Sequence, residues 1–290
     1  FITYVRSFNQ PISSIAQNMN VLQSTAAAAE RVFEFLDETE EIPETSTPVE
    51  VFDEHGETKI KGQVTFENVH FGYTPEKTII NDFSMYIKPG KKIAIVGPTG
   101  AGKTTIIKLL MRFYELNSGA IYVDGIKTTD MRRSDLRYLF GMVLQDAWLF
   151  NGTVMENLRY GKLDATDEEV MKAADAAYVD HFIRTLEHGY DTMINEESSN
   201  ISQGQKQLLT IARAFLADPK ILILDEATSS VDTRTEVLIQ KGMEKLMENR
   251  TSFVIAHRLS TIRDADLILV MKDGDIVEDG NHEDLMKENG

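Results

Sequence analysis

The stretch GPTGAGKT at 97–104 constrains the fold of this chain more than any other part of the sequence. It directly follows the apolar run KIAIV at 92–96 and directly precedes a helical pattern. Between a strand and a helix, glycines at this spacing let backbone N–H groups cradle phosphates at the positive end of the helix. Lys103 is expected to reach the β and γ phosphates, and Thr104 to ligate Mg²⁺. We predict a nucleotide-binding loop formed by Gly97, Pro98, Thr99, Gly100, Ala101, Gly102, Lys103, Thr104 and Thr105.

Strand patterns alternate with helical patterns from Gln63 onward. The run KIAIV is joined by GMVL at 141–144, ILIL at 221–224 and SFVIA at 252–256, and helical patterns cover 104–115, 167–187, 205–217 and 233–248. This alternation predicts parallel strands with helices on both faces, and the stretch at 64–87 predicts an added antiparallel layer. The predicted class is α/β, a P-loop NTPase with a parallel core sheet, an antiparallel β subdomain and a long helix before them.

Polar residues follow three of the predicted buried strands. Gln145 follows GMVL, Asp225 and Glu226 follow ILIL, and His257 follows SFVIA. The carboxyl ends of parallel strands lie along one edge of a sheet, where ligands bind, so we expect these residues to converge on the nucleotide. Asp225 would hold Mg²⁺, and Glu226 would orient or deprotonate the water that attacks the γ phosphate. Taken singly, each has another explanation: a strand-end cap, a solvated acidic turn or a buried histidine.

The first 60 residues have a different pattern. Apolar residues recur at spacings of three and four, which predicts a long amphipathic helix that Pro11 should open or kink: Ile12, Ile15, Met19, Leu22, Ala26, Ala29, Phe33 and Leu36. The following stretch is rich in acids and threonine, has two prolines, and predicts an exposed linker. The predicted organisation is therefore a helical segment at 1–36, a linker at 37–60 and a catalytic domain at 61–290.

The peptide ISQGQ at 201–205, hereafter the signature peptide, is neutral but precedes a helical pattern. Ser202 and Gln205 have the spacing of a capping box, which predicts that a helix begins here. Its first N–H groups, the Gly204 backbone and the Ser202 hydroxyl would form an anion site without formal charge. A simple helix cap is the alternative.

Composition excludes several classes of function. With 46 acidic and 30 basic residues the net charge is -16, which argues against a nucleic-acid partner. The absence of cysteine excludes disulfides and thiolate metal sites, and it favours the cytoplasmic side of a membrane. No run reaches the length of a membrane span, and the chain begins with Phe1 rather than methionine. We expect it to be a piece of a longer protein.

The order of GPTGAGKT, VLQD, ISQGQ, ILILDEATSSVD and VIAHRLST resembles the nucleotide-binding domain of ATP-binding cassette (ABC) proteins. The resemblance covers about residue 60 to the end and implies a helical subdomain that carries the signature peptide. It implies that Tyr73 stacks on the adenine of ATP, that Gln145 contacts Mg²⁺ and couples to a partner helix, and that His257 touches the γ phosphate. It also implies that two such domains close head to tail. ATP held by one domain would then be capped in trans by the other's Ser202, Gln203, Gly204, Gln205 and Asp232.

The segment at 1–36 also resembles the cytoplasmic end of the last transmembrane helix in bacterial multidrug or lipid exporters. This implies a membrane domain upstream of residue 1 and a location at the cytoplasmic face of a bacterial cell membrane. An importer's ATPase subunit and a soluble ABC switch are the alternatives. The stripe would also suit an ordinary helix that packs on the catalytic domain.

Gln203 stands where the family's signature peptide usually has glycine, and the preceding NEESSN keeps Glu196 but lacks the usual flanking glycines. Exporters built from two different halves often have one chain with an altered signature peptide and an intact catalytic set. Lys103, Glu226 and His257 make this chain resemble that half. The resemblance therefore implies a heterodimer with a different half-transporter, and a homodimer that tolerates Gln203 is the competing hypothesis.

Overall fold

The computed structural model describes residues 2–144, 147–195, 201–225, 231–256 and 258–288. Predicted site residues Gln145, Glu226 and His257, together with Glu196, lie outside these ranges. The chain divides into two compact units, Phe1–Pro43 and Glu44–Gly290. Every other predicted site residue belongs to the second unit.

The first unit contains a single long helix, α1 (Ile2–Leu36), in its described part. The helix continues across Pro11, so of the two expected effects of this proline, that it opens the helix or kinks it, the first is wrong. A proline removes one backbone donor, and the helical turns on both sides of Pro11 are long enough to persist. Apolar side chains on the predicted stripe are exposed, among them Ile15 and Phe33. Within the described ranges no helix, α1 included, is both long enough and apolar enough to cross a bilayer.

An antiparallel sheet forms the first layer of the second unit. Its strands are β1 (Val64–Phe71), β2 (Ile80–Ile87), β4 (Ser118–Val123) and β5 (Ile126–Lys127), in the order β2-β1-β4-β5. Inward-facing residues alternate along β1, and Phe66 meets Phe83 edge-on with ring centroids 5.0 Å apart. The predicted antiparallel layer is confirmed, although β4 and β5 were missing from the sequence prediction.

The core sheet is the second layer. Its strands are β3 (Lys92–Val96), β6 (Phe140–Val143), β9 (Ile221–Asp225), β10 (Thr251–Ile255), β11 (Leu267–Lys272) and β12 (Asp275–Gly280). The order is β12-β11-β3-β10-β9-β6, and only the edge strand β12 runs antiparallel to its neighbour. Almost every residue of β9 and β10 is buried, as a sheet covered on both faces requires. The predicted parallel core sheet is confirmed.

Helices cover both faces of the core sheet. Residues that alternate along the strands enter two hydrophobic clusters: Ile93 and Ile95 face the antiparallel sheet, whereas Ala94 faces the helical side. The helices are α2 (Lys103–Leu110), α3 (Arg133–Tyr138), α4 (Val154–Arg159), α5 (Asp167–Ala176), α6 (Asp180–Thr185), α7 (Gln203–Ala217), α8 (Thr233–Met247), α9 (Leu259–Arg263) and α10 (His282–Glu288). A small hairpin, β7 (Gly152–Thr153) and β8 (Met193–Ile194), joins the helical side.

The helical pattern predicted at 167–187 is two helices rather than one. The chain turns between α5 and α6 at Tyr178, which has a positive φ of 59°. Val179 and Ile183 are buried in the same hydrophobic cluster as the apolar residues of α7. A 3.6-residue pattern cannot show such a break, because both helices bury apolar residues at similar spacing.

The segment 37–60, predicted as an exposed linker, is exposed over most of its length, but two of its residues are buried. Val51 and Ile60 are 1% and 4% exposed and belong to the core between the two sheets. The backbone N–H of Arg133 donates to Oε1 of Glu44 at 2.8 Å, and Arg132 pairs with Glu50 at 2.9 Å. Two acids of this segment, Glu44 and Glu50, therefore contact arginines that are distant in sequence.

Candidate functional site

The phosphate loop lies between the end of β3 and the start of α2, as predicted. Gly97 has a φ of 148°, and a Cβ there would lie 2.1 Å from the carbonyl oxygen of Met271. Gly102 has a φ of 99° and is the N-cap residue of α2. Only glycine fits these two positions without strain or a clash. The first N–H groups of α2 lack intrahelical acceptors, and the loop holds them beside the carboxyl end of β3.

The Lys103 ammonium group lies inside the curve of this loop. It donates hydrogen bonds to the carbonyl oxygens of Gly97 at 2.8 Å and Pro98 at 3.0 Å. Ala101 is 2% exposed and packs into the core, so its side chain anchors the loop from below. The carbonyl contacts hold the positive charge of Lys103 at the centre of the loop, where it can attract phosphate oxygens.

A cavity of about 410 Å³ opens beside the loop. Its lining brings together predicted residues from three distant parts of the chain, namely Tyr73, Thr99, Gly100, Gly102, Lys103, Thr104, Thr105 and Asp225. This volume is within the range of small-molecule and cofactor sites. Lys77, Ile79 and Ile255 also line the cavity, and sequence reasoning missed all three.

Strand register explains why Asp225 reaches the cavity. Asp225 is level with Ile255 of β10, which is in turn level with Ile95 of β3, just before the loop. The carboxyl ends of these strands therefore lie side by side, as the sequence predicted. Gln145, Glu226 and His257 come one or two residues after described strand ends, but they lie outside the described residues.

Thr104 and Asp225 supply a hydroxyl and a carboxylate to the same cavity. Oxygen ligands of this kind, completed by phosphates and water, are what Mg²⁺ prefers, so the residues present fit the predicted ion. No cluster of three or more His, Cys, Asp or Glu side chains suited to a metal occurs within the described ranges. This donor set suits an ion that arrives with a nucleotide better than an ion held by protein ligands alone.

Tyr73 lies on the wall of the cavity and is 46% exposed. Its ring meets Phe71 and Tyr114 edge-on, at centroid distances of 5.0 and 5.1 Å. Its hydroxyl is 3.3 Å from the hydroxyl of Thr105 in the first turn of α2. Two aromatic neighbours and one hydrogen bond fix the ring while much of it stays accessible.

Lys77 and Ile79 reach the cavity because the chain makes a tight turn after Tyr73. The N–H of Lys77 donates to the carbonyl of Thr74 at 3.2 Å, and Ile79 returns to β1 through a bond to Phe71 at 2.7 Å. A Cβ at Gly72 would lie 2.3 Å from the carbonyl oxygen of Lys77. Gly72 and Pro75, on either side of Tyr73 and Thr74, are sequence signals that could have indicated this turn.

The signature peptide begins α7 with the predicted capping box. The Ser202 hydroxyl accepts a bond from the Gln205 N–H at 3.3 Å, and the Gln205 side chain accepts one from the Ser202 N–H at 2.9 Å. Ser202 is exposed, whereas Gly204 is buried. A Cβ at Gly204 would lie 2.5 Å from Cγ2 of Thr235 on α8, so glycine is needed for helix packing here. The predicted helix start is confirmed.

Asp232 is the N-cap residue of α8. Its carboxylate accepts bonds from the N–H groups of Arg234 at 3.1 Å and Thr235 at 3.0 Å. These bonds hold the pKa of Asp232 below its ordinary value, and the bond from the Thr235 N–H has the largest effect. Through Thr235, Asp232 also lies close to Gly204. The starts of α7 and α8 thus form one exposed corner that carries all five residues predicted to act in trans.

Comparison with known proteins places this geometry in a family. The model of the family described as "ABC transporter" matches residues 80–229, which is more than half of the chain. A Mycobacterium bovis protein named "Fatty acid ABC transporter ATP-binding/permease protein" is 54% identical over all 290 residues. "ATP-binding cassette sub-family B member 6" of Xenopus tropicalis is 43% identical over 291 aligned residues.

A solved structure described as "a bacterial Atm1-family ABC exporter with ATP bound" superposes on 92% of the chain with a TM-score of 0.79 and 39% sequence identity. The chain spans 45% of the M. bovis protein, 34% of the Xenopus protein and 46% of the solved exporter chain. It is therefore similar to less than half of each of these longer proteins.

Proposed function

This chain belongs to the ABC transporter family, whose ATP-binding domains hydrolyse ATP, and from that premise we propose that it powers export across a membrane. The similarity to a solved ABC exporter with ATP bound extends over 92% of the chain. The M. bovis relative combines ATP-binding and permease parts in one protein. Drugs or lipids are the proposed cargo class.

One observation carries the proposal: the cavity beside the phosphate loop collects Tyr73, Lys103, Thr104 and Asp225 from three distant parts of the chain. An aromatic ring, a cation, a hydroxyl and a carboxylate are the groups that a base, a triphosphate and its metal ion require. ATP would place its adenine against the accessible part of Tyr73. Its phosphates would lie in the loop, within reach of Lys103.

We assign the Mg²⁺ ligands to Thr104, Asp225 and Gln145. An ion held there would supply positive charge that offsets the charge developing on the β and γ phosphates. Lys103 would leave the carbonyls of Gly97 and Pro98 and donate to phosphate oxygens, which are stronger acceptors because they are charged.

Hydrolysis is assigned to Glu226 and His257. Glu226 orients a water molecule and accepts its proton as the water oxygen attacks the γ phosphorus. The bond from the γ phosphorus to the β–γ bridging oxygen then breaks, which releases ADP and phosphate. His257 donates a hydrogen bond to the γ phosphate. Positioning and charge stabilisation contribute most of the rate in such transfers.

The second half of each ATP site would come from another ABC domain. The exposed corner at the starts of α7 and α8 offers the Ser202 hydroxyl, together with the N–H groups of Gln203 and Gly204. ATP would act as an adhesive between the two domains, and loss of the γ phosphate would let them open. Gln203 places a side chain beside the partner's phosphate, which supports a partner that is a different half-transporter.

The proposed organisation adds a membrane domain before residue 1. Residues 1–36 are the cytoplasmic end of its last helix, 37–60 connect it to the ABC domain, and 61–290 form that domain at the cytoplasmic face of a bacterial membrane.

Replacing Glu226 by Gln tests the proposal. ATP binding should persist while turnover falls by at least about a hundredfold, because the amide cannot accept the proton. Both quantities are measured on the full-length protein with its partner. Glu283→Gln, an exposed carboxylate on the distant helix α10, is the matched control and should leave both unchanged. Hydrolysis by Glu226→Gln at the rate of the unaltered protein would refute the assignment.

A further inference from the structure

Arg213, in the third turn of α7, binds backbone and amide oxygens rather than a carboxylate. Its Nε donates to the carbonyl of Asn157 at 2.5 Å, one Nη to the carbonyl of Trp148 at 2.7 Å, and the other Nη to Oδ1 of Asn157 at 2.6 Å. Within the described ranges no carboxylate pairs with it. A guanidinium group that is held only by neutral oxygens fixes geometry rather than neutralising a charge.

Asn157 completes the network and is fully buried. Its Oδ1 also accepts from the N–H of Phe150 at 3.1 Å, and its Nδ2 donates to the carbonyls of Phe150 and Thr153, each at 3.0 Å. The side-chain amide of Asn157 is therefore shared between the loop 147–153 and Arg213 of α7. Such a satisfied buried network specifies a single arrangement of the parts it joins.

Aromatic rings enclose the guanidinium group. It lies 5.9 Å from the ring centroid of Phe150 and 5.7 Å from that of Tyr160. Burial lowers the pKa of Arg213 to about 10, so the group stays protonated at neutral pH. The charge is thus retained inside a partly apolar enclosure, where each hydrogen bond to a carbonyl is stronger than in water.

The joined parts are neighbours in sequence of two regions of this chain that are expected to meet nucleotide. The loop 147–153 begins two residues after Gln145, which is the proposed Mg²⁺ ligand at this chain's own ATP. Helix α7 begins with the signature peptide, which is proposed to meet the partner's ATP. Asn157 and Arg213 therefore connect the neighbourhood of one ATP with the residues that cap the other.

We propose that Arg213 is a positioning residue that transmits nucleotide binding at the phosphate loop to the signature peptide, through Trp148 and Asn157. The inference rests on the proposed function, because it requires that both regions meet ATP. Arg213 holds the loop and α7 as one body, so a shift of the loop on nucleotide binding moves the start of α7. Lysine cannot replace it, since one ammonium group cannot reach the three separated acceptors at once.

The sequence offers a direct reporter, because Trp148 is its one tryptophan. The 290-residue chain is titrated with a non-hydrolysable ATP analogue and Mg²⁺, while Trp148 emission and amide hydrogen exchange at 201–206 are followed. The unaltered chain should show both responses at one midpoint concentration. In Arg213→Lys, affinity should stay within about twofold, while the exchange response at 201–206 falls by at least about threefold.

Arg250→Lys is the matched control. Arg250 also donates to two backbone carbonyls, those of Pro219 at 3.1 Å and Leu246 at 2.6 Å, and pairs with Asp218. Arg250 directly precedes β10 and so lies at the amino end of the parallel strands. The loop 147–153 comes after β6, at their carboxyl end. This variant should lose stability much as Arg213→Lys does, yet keep the exchange response at the signature peptide.

A full exchange response in Arg213→Lys would overturn the inference. If that variant does not fold, the unaltered chain decides: a response at 201–206 without a change in Trp148 emission also overturns it. Failure of the proposed function has a different outcome, namely no binding of the analogue, or binding that Lys103→Ala leaves intact.

Discussion

At the scale of single residues, the site depends on side chains that the fold holds in place before any ligand arrives. Lys103 is held by two loop carbonyls, and Tyr73 is held by two aromatic rings and the Thr105 hydroxyl. Preorganisation of this kind lowers the entropy lost on binding. It also means that each of these residues can be tested separately.

Tyr73→Ala is expected to raise the KM for ATP about tenfold with little change in kcat, because stacking of a base on an aromatic ring contributes about 1–2 kcal/mol. Tyr73→Phe should keep the KM within about twofold, since the ring and its packing remain. Steady-state ATPase kinetics measure both values. Tyr86→Ala, an exposed tyrosine on β2, is the control, and an equal effect there would contradict stacking at Tyr73.

At the scale of elements, the starts of helices decide where the functional residues lie. The signature peptide reaches its position because α7 begins with a capping box and because Gly204 permits close contact with α8. The same cap geometry recurs in α4 and α5, which both pack against α7. The capping boxes therefore stabilise α4, α5 and α7 and fix the residue at which each of these helices begins.

Gly204→Ala should destabilise the chain and weaken the in-trans contact, because the new methyl would meet Cγ2 of Thr235 at 2.5 Å. Gly242 lies on α8, which packs against α7. In Gly242→Ala the new methyl would lie 3.4 Å from Ile211, so the stability should be unchanged or higher. Thermal unfolding of both variants measures the difference. A Gly204→Ala variant as stable as Gly242→Ala would show that the close packing is unimportant.

Acid should weaken the capping box of α5. The N–H of Thr166 lowers the pKa of Glu169 to about 2, with further contributions from Lys162 and the Thr166 hydroxyl. A carboxylate with a lowered folded-state pKa stabilises the fold above its unfolded value of about 4.5, and this stability is lost as the pH falls towards 2. The difference in Tm between the unaltered chain and Glu169→Gln should therefore shrink over that range. Glu168→Gln, the neighbouring exposed carboxylate, should show a much smaller pH dependence.

How far the sequence predicts each element follows from what determines it. The phosphate loop was predictable because Gly97 and Gly102 must be glycine for local reasons. Lys77 and Ile79 were not, because they reach the cavity only through a turn whose closure depends on β1. The burial of Val51 and Ile60, and the break at Tyr178, likewise depend on contacts distant in sequence. Local constraints could be read from the sequence, whereas tertiary ones could not.

At the scale of the whole molecule, two features of the chain bear on the partners that the proposed function includes. It spans less than half of the relatives described above, and its signature peptide lies outside its own ATP cavity. In the proposed function, partners account for both features, namely a membrane domain in the same protein and a second ABC domain.

A different half-transporter is the expected second domain. Affinity purification of the tagged full-length protein from its own membranes should retain a second ABC protein in equal amount, with glycine at the position of Gln203. Reconstituted with that partner, the pair should export cargo in an ATP-dependent manner. Robust ATP-dependent transport by the full-length protein alone would favour the homodimer.

The central claim is that the cavity beside the phosphate loop is an ATP site. Titration of the chain with ATP and Mg²⁺ by calorimetry tests it most directly. The account predicts one ATP bound per chain, with an affinity that falls at least about tenfold in Lys103→Ala, because a charge-assisted bond to phosphate is lost. Lys92→Ala, a lysine at the opposite end of β3, should bind like the unaltered chain. Binding of equal affinity in Lys103→Ala, or no saturable binding at all, would contradict the account.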